Sequence, residues 1–118
     1  MNLSGTIVLC EFPFVDKGQI KLRPCMIVAT VPGEFDDFLT CMITTNLARS
    51  VEYIDEILTP DDSDFIQSGL KKSSVLRICR VAVINKTKMK GRLGNISPDR
   101  FSRVRCRLAD WVSGKLEQ

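Results

Sequence analysis

The sequence predicts a mainly β fold: a small, partly open barrel with a short internal helix and a C-terminal α-helix. Strand-type segments dominate as far as Ile84, and the strongest helical periodicity follows them. Regularly alternating long helices, which a parallel βαβ fold requires, are missing. With 118 residues, 44% hydrophobic and 26% charged, the chain fits one domain spanning 1–118 better than a disordered segment or two cores.

Thr6 to Phe14 is rich in β-branched and aromatic residues and is bounded by Gly5 and by Asp16-Lys17-Gly18. Pro13 puts its end at a sheet edge or bulge. Pro24 to Val31 is an almost continuous apolar run before Pro32-Gly33, the pattern of a strand buried on both faces. Asp37 to Thr45 and Val51 to Leu58 are expected as the third and fourth strands. Thr59-Pro60-Asp61-Asp62 supplies a cap, a first-turn proline and acids that suit the helix dipole, which predicts a short helix running to Gln67 before Gly69.

Ser74 to Ile84 is a long strand whose two faces carry one arginine each, Arg77 and Arg80. An unpaired buried guanidinium is costly, so both are expected to reach solvent, a partner or a ligand at the sheet margin. Ser97, Pro98 and Asp99 open the C-terminal helix, its apolar face is Phe101, Val104, Leu108, Trp111 and Val112, and Gly114 ends it. Arg100, Arg103 and Arg107 lie along a second face, with solvation as the default reading.

Zero histidine removes the usual general base at physiological pH, the Ser-His and Cys-His nucleophile pairs and the commonest zinc ligand. P-loop and dinucleotide glycine signatures are also missing, so no metal and no cofactor is expected. Cys10, Cys25, Cys41, Cys79 and Cys106 are spread singly and odd in number, which predicts packing thiols in a reducing compartment. Neither a membrane-length apolar stretch nor a signal-peptide pattern is present, so a cytoplasmic location is expected.

The net charge is only +3, but it is polarised: residues 34–64 hold nine acids and one base, residues 86–107 eight bases and one acid. Such blocks suit either two solvated faces or a footprint for a polyanion or an acidic partner. Polar residues also gather at strand ends. Arg23 precedes Pro24, Thr44 and Thr45 close the third strand, and Lys71, Lys72, Ser73 and Ser74 open the fifth. If antiparallel pairing brings these ends together, they form either an anion-binding rim or ordinary polar strand caps.

The order Gly5-Thr6-Ile7-Val8-Leu9, Phe12-Pro13-Phe14, Asp16, Lys21, Arg23-Pro24, Ile43-Thr44-Thr45, Gly69-Leu70-Lys71-Lys72-Ser73-Ser74-Val75 and Gly91-Arg92-Leu93-Gly94-Asn95-Ile96-Ser97 resembles the PemK/MazF (Kid) toxins of type II toxin-antitoxin modules. The resemblance implies an SH3-like barrel similar to CcdB, a homodimer, a cognate antitoxin and a metal-independent endoribonuclease acting on single-stranded RNA. In that family the ribose 2′-hydroxyl attacks the adjacent phosphate, leaving a 2′,3′-cyclic phosphate and a 5′-hydroxyl. The family's catalytic arginine falls on Arg23 and its catalytic threonine on Thr44. Lys17 and Lys21 fall on its loop between the first two strands, which helps to bind RNA, and Thr45, Lys71, Lys72, Ser74 and Arg77 are further candidates for RNA contacts. Cys79 stands where relatives commonly carry an acid. A CcdB-like gyrase poison and an inactive binding module are the alternatives.

The proposed chemistry needs no histidine. A guanidinium presents fixed donors to phosphate oxygens and stabilises the charge growing in the transition state, while making a poor general base. Because the RNA supplies the nucleophile, its 2′-hydroxyl also separates RNA from DNA.

Overall fold

The computed structural model describes residues 3–11 and 21–116. Six strands form one antiparallel sheet: β1 (Thr6–Glu11), β2 (Leu22–Thr30), β3 (Asp37–Thr44), β4 (Glu56–Leu58), β5 (Ser74–Asn85) and β6 (Met89–Asn95). Their order is β4-β5-β3-β2-β1-β6, so the sheet is open, with β4 and β6 at its edges. Two α-helices accompany it: α1 (Phe65–Ser68) between β4 and β5, and α2 (Pro98–Val112) after β6. The mainly β, open architecture is the one the sequence predicts.

Alternation along the strands sorts the apolar side chains into two clusters. Met26 and Val28 of β2 join Ile7, Ile43, Leu76, Ile78, Ile96 and Val104 in the larger one, against which Phe101 and Leu108 of α2 pack. Cys25 and Ile27 join Val8, Cys10, Phe38 and Ile84 in the smaller one. Trp111 and Val112, expected on the buried face of α2, are exposed instead. Cys10 and Cys25 form a disulfide within the smaller cluster, which corrects the expectation of five packing thiols: diagonal positions on the paired β1 and β2 bring the two side chains together. Cys41 is a buried and Cys79 a half-buried free thiol, while the free thiol of Cys106 is exposed.

Several boundaries differ from expectation, each for a local reason. β6 has no alternating apolar pattern; its pairing is supplied by the edge of β1, from Thr6 opposite Asn95 to Cys10 opposite Met89. The expected fourth strand shrinks to Glu56–Leu58 because the Asp55 carboxylate accepts from the Val51 amide at 2.9 Å and winds the preceding residues into a turn. The expected helix at Thr59 is likewise a turn, closed by the Thr59 amide donating to Asp62 Oδ2 at 2.7 Å, and α1 starts at Phe65. β1 is described to Glu11, and the predicted continuation to Phe14 lies outside the described residues.

Part of the two charge blocks meets across the fold, which corrects the solvated reading for Arg100. Arg100 is 6% exposed; its Nε donates to Asp64 Oδ2 at 2.9 Å, Nη2 to Asp64 Oδ1 at 3.3 Å and Nη1 to Glu56 Oε1 at 3.0 Å. Arg103 and Arg107 complete the cage around Glu56, at 3.0 and 2.6 Å. Asp64 also accepts from the Ser97 amide at 3.0 Å, beside the Ser97 hydroxyl that caps α2. The basic face of α2 is therefore turned onto β4 and the segment before α1.

Close backbone approach fixes the other side of α1. Gly69 ends it in the left-handed conformation, at φ 73°, and lies against the Leu93 carbonyl of β6. A methyl group on Gly94 would overlap the backbone of Gln67 and Ser68. Gly94→Ala should therefore lower stability by about 1–3 kcal/mol, the usual cost of overpacking, measured by urea unfolding.

Glu56→Gln should destabilise the fold by about 3–5 kcal/mol in the same assay, because it leaves Arg100 without one of its buried counter-charges. Acid should act through Asp64. Burial alone would push this carboxyl up, but hydrogen bonds from Arg100 and Ser97 outweigh it and hold the group below its ordinary value of 3.8. Its stabilising effect is thus full above that value and is lost as pH falls through the lower folded-state one. The Asp64→Asn variant should be less stable at neutral pH and show a shallower acid-induced fall in melting temperature.

Candidate active site

The site begins with register. Cys25 of β2 stands opposite Met42 of β3, and two residues beyond them Arg23 and Thr44 line one cleft. Thr44 in turn stands opposite Val75 of β5. One strand end and two strand starts therefore share one margin of the sheet. Pro24, opposite Leu9 of β1, holds the backbone extended directly after Arg23.

A cleft of about 330 Å³ opens at this margin, lined by Arg23, Pro24, Ile43, Thr44, Thr45, Leu70, Lys71, Lys72 and Ser74. Six of the nine predicted site residues meet there. Among the described residues neither carboxylate nor thiol lines the cleft, and the charged side chains that do are cationic. Thr44 Oγ1 accepts from the Asn46 amide at 3.1 Å, which orients the hydroxyl and leaves its proton available to an acceptor in the cleft. Ser74 is 1% exposed and its hydroxyl donates to the Lys72 carbonyl at 2.8 Å. It shapes the turn that carries the two lysines.

Two further predicted residues, Lys21 and Arg77, lie outside the cleft lining. Lys21 is exposed two positions before Arg23, outside the lining, and Lys17 lies outside the described residues. Arg77 lines a second cavity, about 630 Å³, together with Val51, Tyr53, Ile54, Asp55, Cys79, Arg80, Trp111 and Leu116. Its Nε is buried without a hydrogen-bond partner. Arg77 and Arg80, expected on opposite faces, line one cavity because the β3 pairing jumps from Arg77 to Val81 and bulges the residues between them. The Asp55 carboxylate there is held by the Val51 and Ile78 amides, at 2.9 and 3.0 Å.

Sequence reasoning missed this second cavity. Its walls come from a turn, a bulge and the end of α2, which share no motif. Burial, aided by the charge of Asp55, pushes the Cys79 thiol up, and burial pushes Cys41 up to about 12, so both are protonated near neutral pH.

Residues 3–112 match the model of the PemK-like, MazF-like toxins of type II toxin-antitoxin systems. No curated protein matches the sequence significantly. Among solved structures, a mycobacterial endoribonuclease in complex with its cognate antitoxin is similar at 18% identity and a TM-score of 0.66, with 97% of each chain covered. The Mycobacterium tuberculosis toxin MazF-mt6 is similar at 15% identity and a TM-score of 0.65, covering 92% of this chain and 96% of its own. MazF from Deinococcus radiodurans is also 15% identical, with a TM-score of 0.64 and coverage of 93% and 94%. At such identities the structures establish the shared fold, and the family match spans nearly the whole sequence: this chain belongs to the PemK-like, MazF-like toxin family of type II toxin-antitoxin systems.

Proposed function

We propose that the chain is a growth-inhibiting endoribonuclease that cuts single-stranded mRNA at a short recurrent sequence and is neutralised by a cognate antitoxin. The observation that carries this reading is the placement of Arg23 and Thr44 in one cleft with Lys71 and Lys72. The similar mycobacterial endoribonuclease, solved with its cognate antitoxin, supports both the activity and the class of partner. In this reading the whole chain, 1–118, is one toxin domain that works as a homodimer in the cytoplasm, without a cofactor or a metal ion.

The reaction is a transesterification. The 2′-oxygen of the RNA forms a bond to the adjacent phosphorus as the bond to the 5′-oxygen breaks; the 2′-hydroxyl proton passes to solvent, and the leaving oxygen takes up a proton. Arg23 directs its donors at the non-bridging phosphate oxygens, where charge grows in the transition state. The oriented Thr44 hydroxyl donates to one of the same oxygens. Lys71, Lys72 and Thr45 hold neighbouring phosphates, with Lys17 and Lys21 on the strand's approach and Arg77 beyond the cleft. Because the substrate provides the nucleophile, the protonated thiols of Cys41 and Cys79 have no part in the step.

Purified protein incubated with a long single-stranded RNA in EDTA should yield 2′,3′-cyclic phosphate and 5′-hydroxyl ends at one recurrent sequence. Arg23→Ala should slow cleavage by about 100-fold or more, the usual scale for losing such a donor, and Thr44→Val should slow it by a smaller factor. A 2′-deoxy ribose at the cut should block it. Intact RNA after prolonged incubation with the wild-type chain overturns the reading.

A further inference from the structure

We propose that Lys88 and Lys90, at the start of β6, form a second phosphate-binding strip that extends the RNA track beyond the Arg23–Thr44 cleft. The inference rests on the RNA-cleaving reading and adds a binding region that the cleft does not contain.

The argument begins with pairing. Met89 stands opposite Cys10, Cys10 opposite Arg23, and Thr44 opposite Val75. With Arg23 and Thr44 lining one cleft, these residues make one band across β6, β1, β2, β3 and β5. Since β2, β5 and β6 all run antiparallel to β1 and β3, they start at the same end of the sheet. Each start carries cations: Lys71 and Lys72 before β5, Lys21 and Arg23 at β2, Lys88 and Lys90 around Met89. Neighbouring strands lie about 4.8 Å apart, so the band spans about 19 Å and Met89 lies about 10 Å from Arg23. Lys88 turns to the Glu11 side of the sheet, the face opposite Arg23 by alternation, so an RNA strand with its scissile phosphate at Arg23 reaches β6 by passing over the sheet margin.

Local chemistry fits that use. Lys88 is well exposed and pairs with Glu11 at 3.4 Å, an exposed contact that contributes little and that a phosphate can displace. Lys90 is exposed, with its Nζ donating to the Thr87 carbonyl at 3.0 Å. Lys90 is also the residue by which the register shifts between Gly91, opposite Leu9, and Met89, opposite Cys10. A bulged edge with a glycine and lysines discourages addition of a peptide strand. Those features favour a flexible polyanion over an acidic peptide as the occupant.

The test measures binding of a mixed-sequence 20-nucleotide 2′-O-methyl RNA, which lacks the attacking hydroxyl, across a salt series. Lys88→Gln/Lys90→Gln should bind about 5-fold or more weakly at low salt. Its slope of log affinity against log salt should fall by about 1.4, since each single-strand phosphate contact contributes about 0.7. Lys88→Arg/Lys90→Arg should retain the wild-type slope, and Lys115→Gln, at the far end of α2, should leave binding unchanged. Circular dichroism melting checks that each variant is folded.

Wild-type affinity and slope in the glutamine variant, with RNA still bound, overturn the strip and leave the cleavage reading standing. A wild-type chain that neither binds nor cuts RNA overturns both. Loss of binding to polyglutamate in the glutamine variant, with RNA binding unchanged, overturns the proposal in favour of an acidic protein partner.

Discussion

The Arg100 guanidinium, held between Asp64 and Glu56, is the contact on which the arrangement around the cleft depends. It joins α2 to the edge strand β4 and to the segment that leads into α1. Burying these charges is costly, and their mutual hydrogen bonds offset the cost only while every partner is in place. The segment they anchor continues through α1, turns at Gly69 against Leu93, and delivers Lys71 and Lys72 to the start of β5. Two lysines of the cleft thus take their position from an ion cluster and a backbone contact, neither of which belongs to the cleft.

The opposite wall is built differently. Arg23 and Thr44 are carried by central strands whose neighbours are hydrogen-bonded on both sides, and such positions hold a side chain more rigidly than a loop does. One wall is set by sheet register, the other by a connection pinned at two points. For phosphate chemistry that relies on fixed donors, rigidity in the first wall serves the reacting centre. The lysines of the other wall are longer and more adaptable side chains that carry charge without a fixed geometry.

Much of this was legible in the residues. The apolar runs of β2, β3 and β5 and the capped, periodic α2 announce themselves by pattern, and Arg23-Pro24 and Ile43-Thr44-Thr45 mark two strand ends by motif. Other features were not legible. β6 exists because β1 has a free edge, and Met89-Lys90-Gly91-Arg92 has no strand signal of its own. The turn at Val51–Ile54 depends on Asp55, whose carboxylate overrides the strand preference of Val51 and Tyr53. Arg77 and Arg80 share a cavity only because of a bulge, and bulges leave no trace in alternation.

The sequence by itself determined the fold class, the residue types available to chemistry and, with zero histidine, the exclusion of imidazole as base or ligand. Periodicity and composition are local properties, and they persist whatever the partners. Tertiary structure alone decided where the charges go. The acidic block at 34–64 and the basic block at 86–107 read as outward surfaces, yet Glu56 and Asp64 bury Arg100, and Glu56 also pairs with the more exposed Arg103 and Arg107. Pairing of that kind depends on distance in space between residues about forty positions apart, which a linear pattern cannot encode. Lys71, Lys72, Lys88 and Lys90 are among the cations that stay exposed.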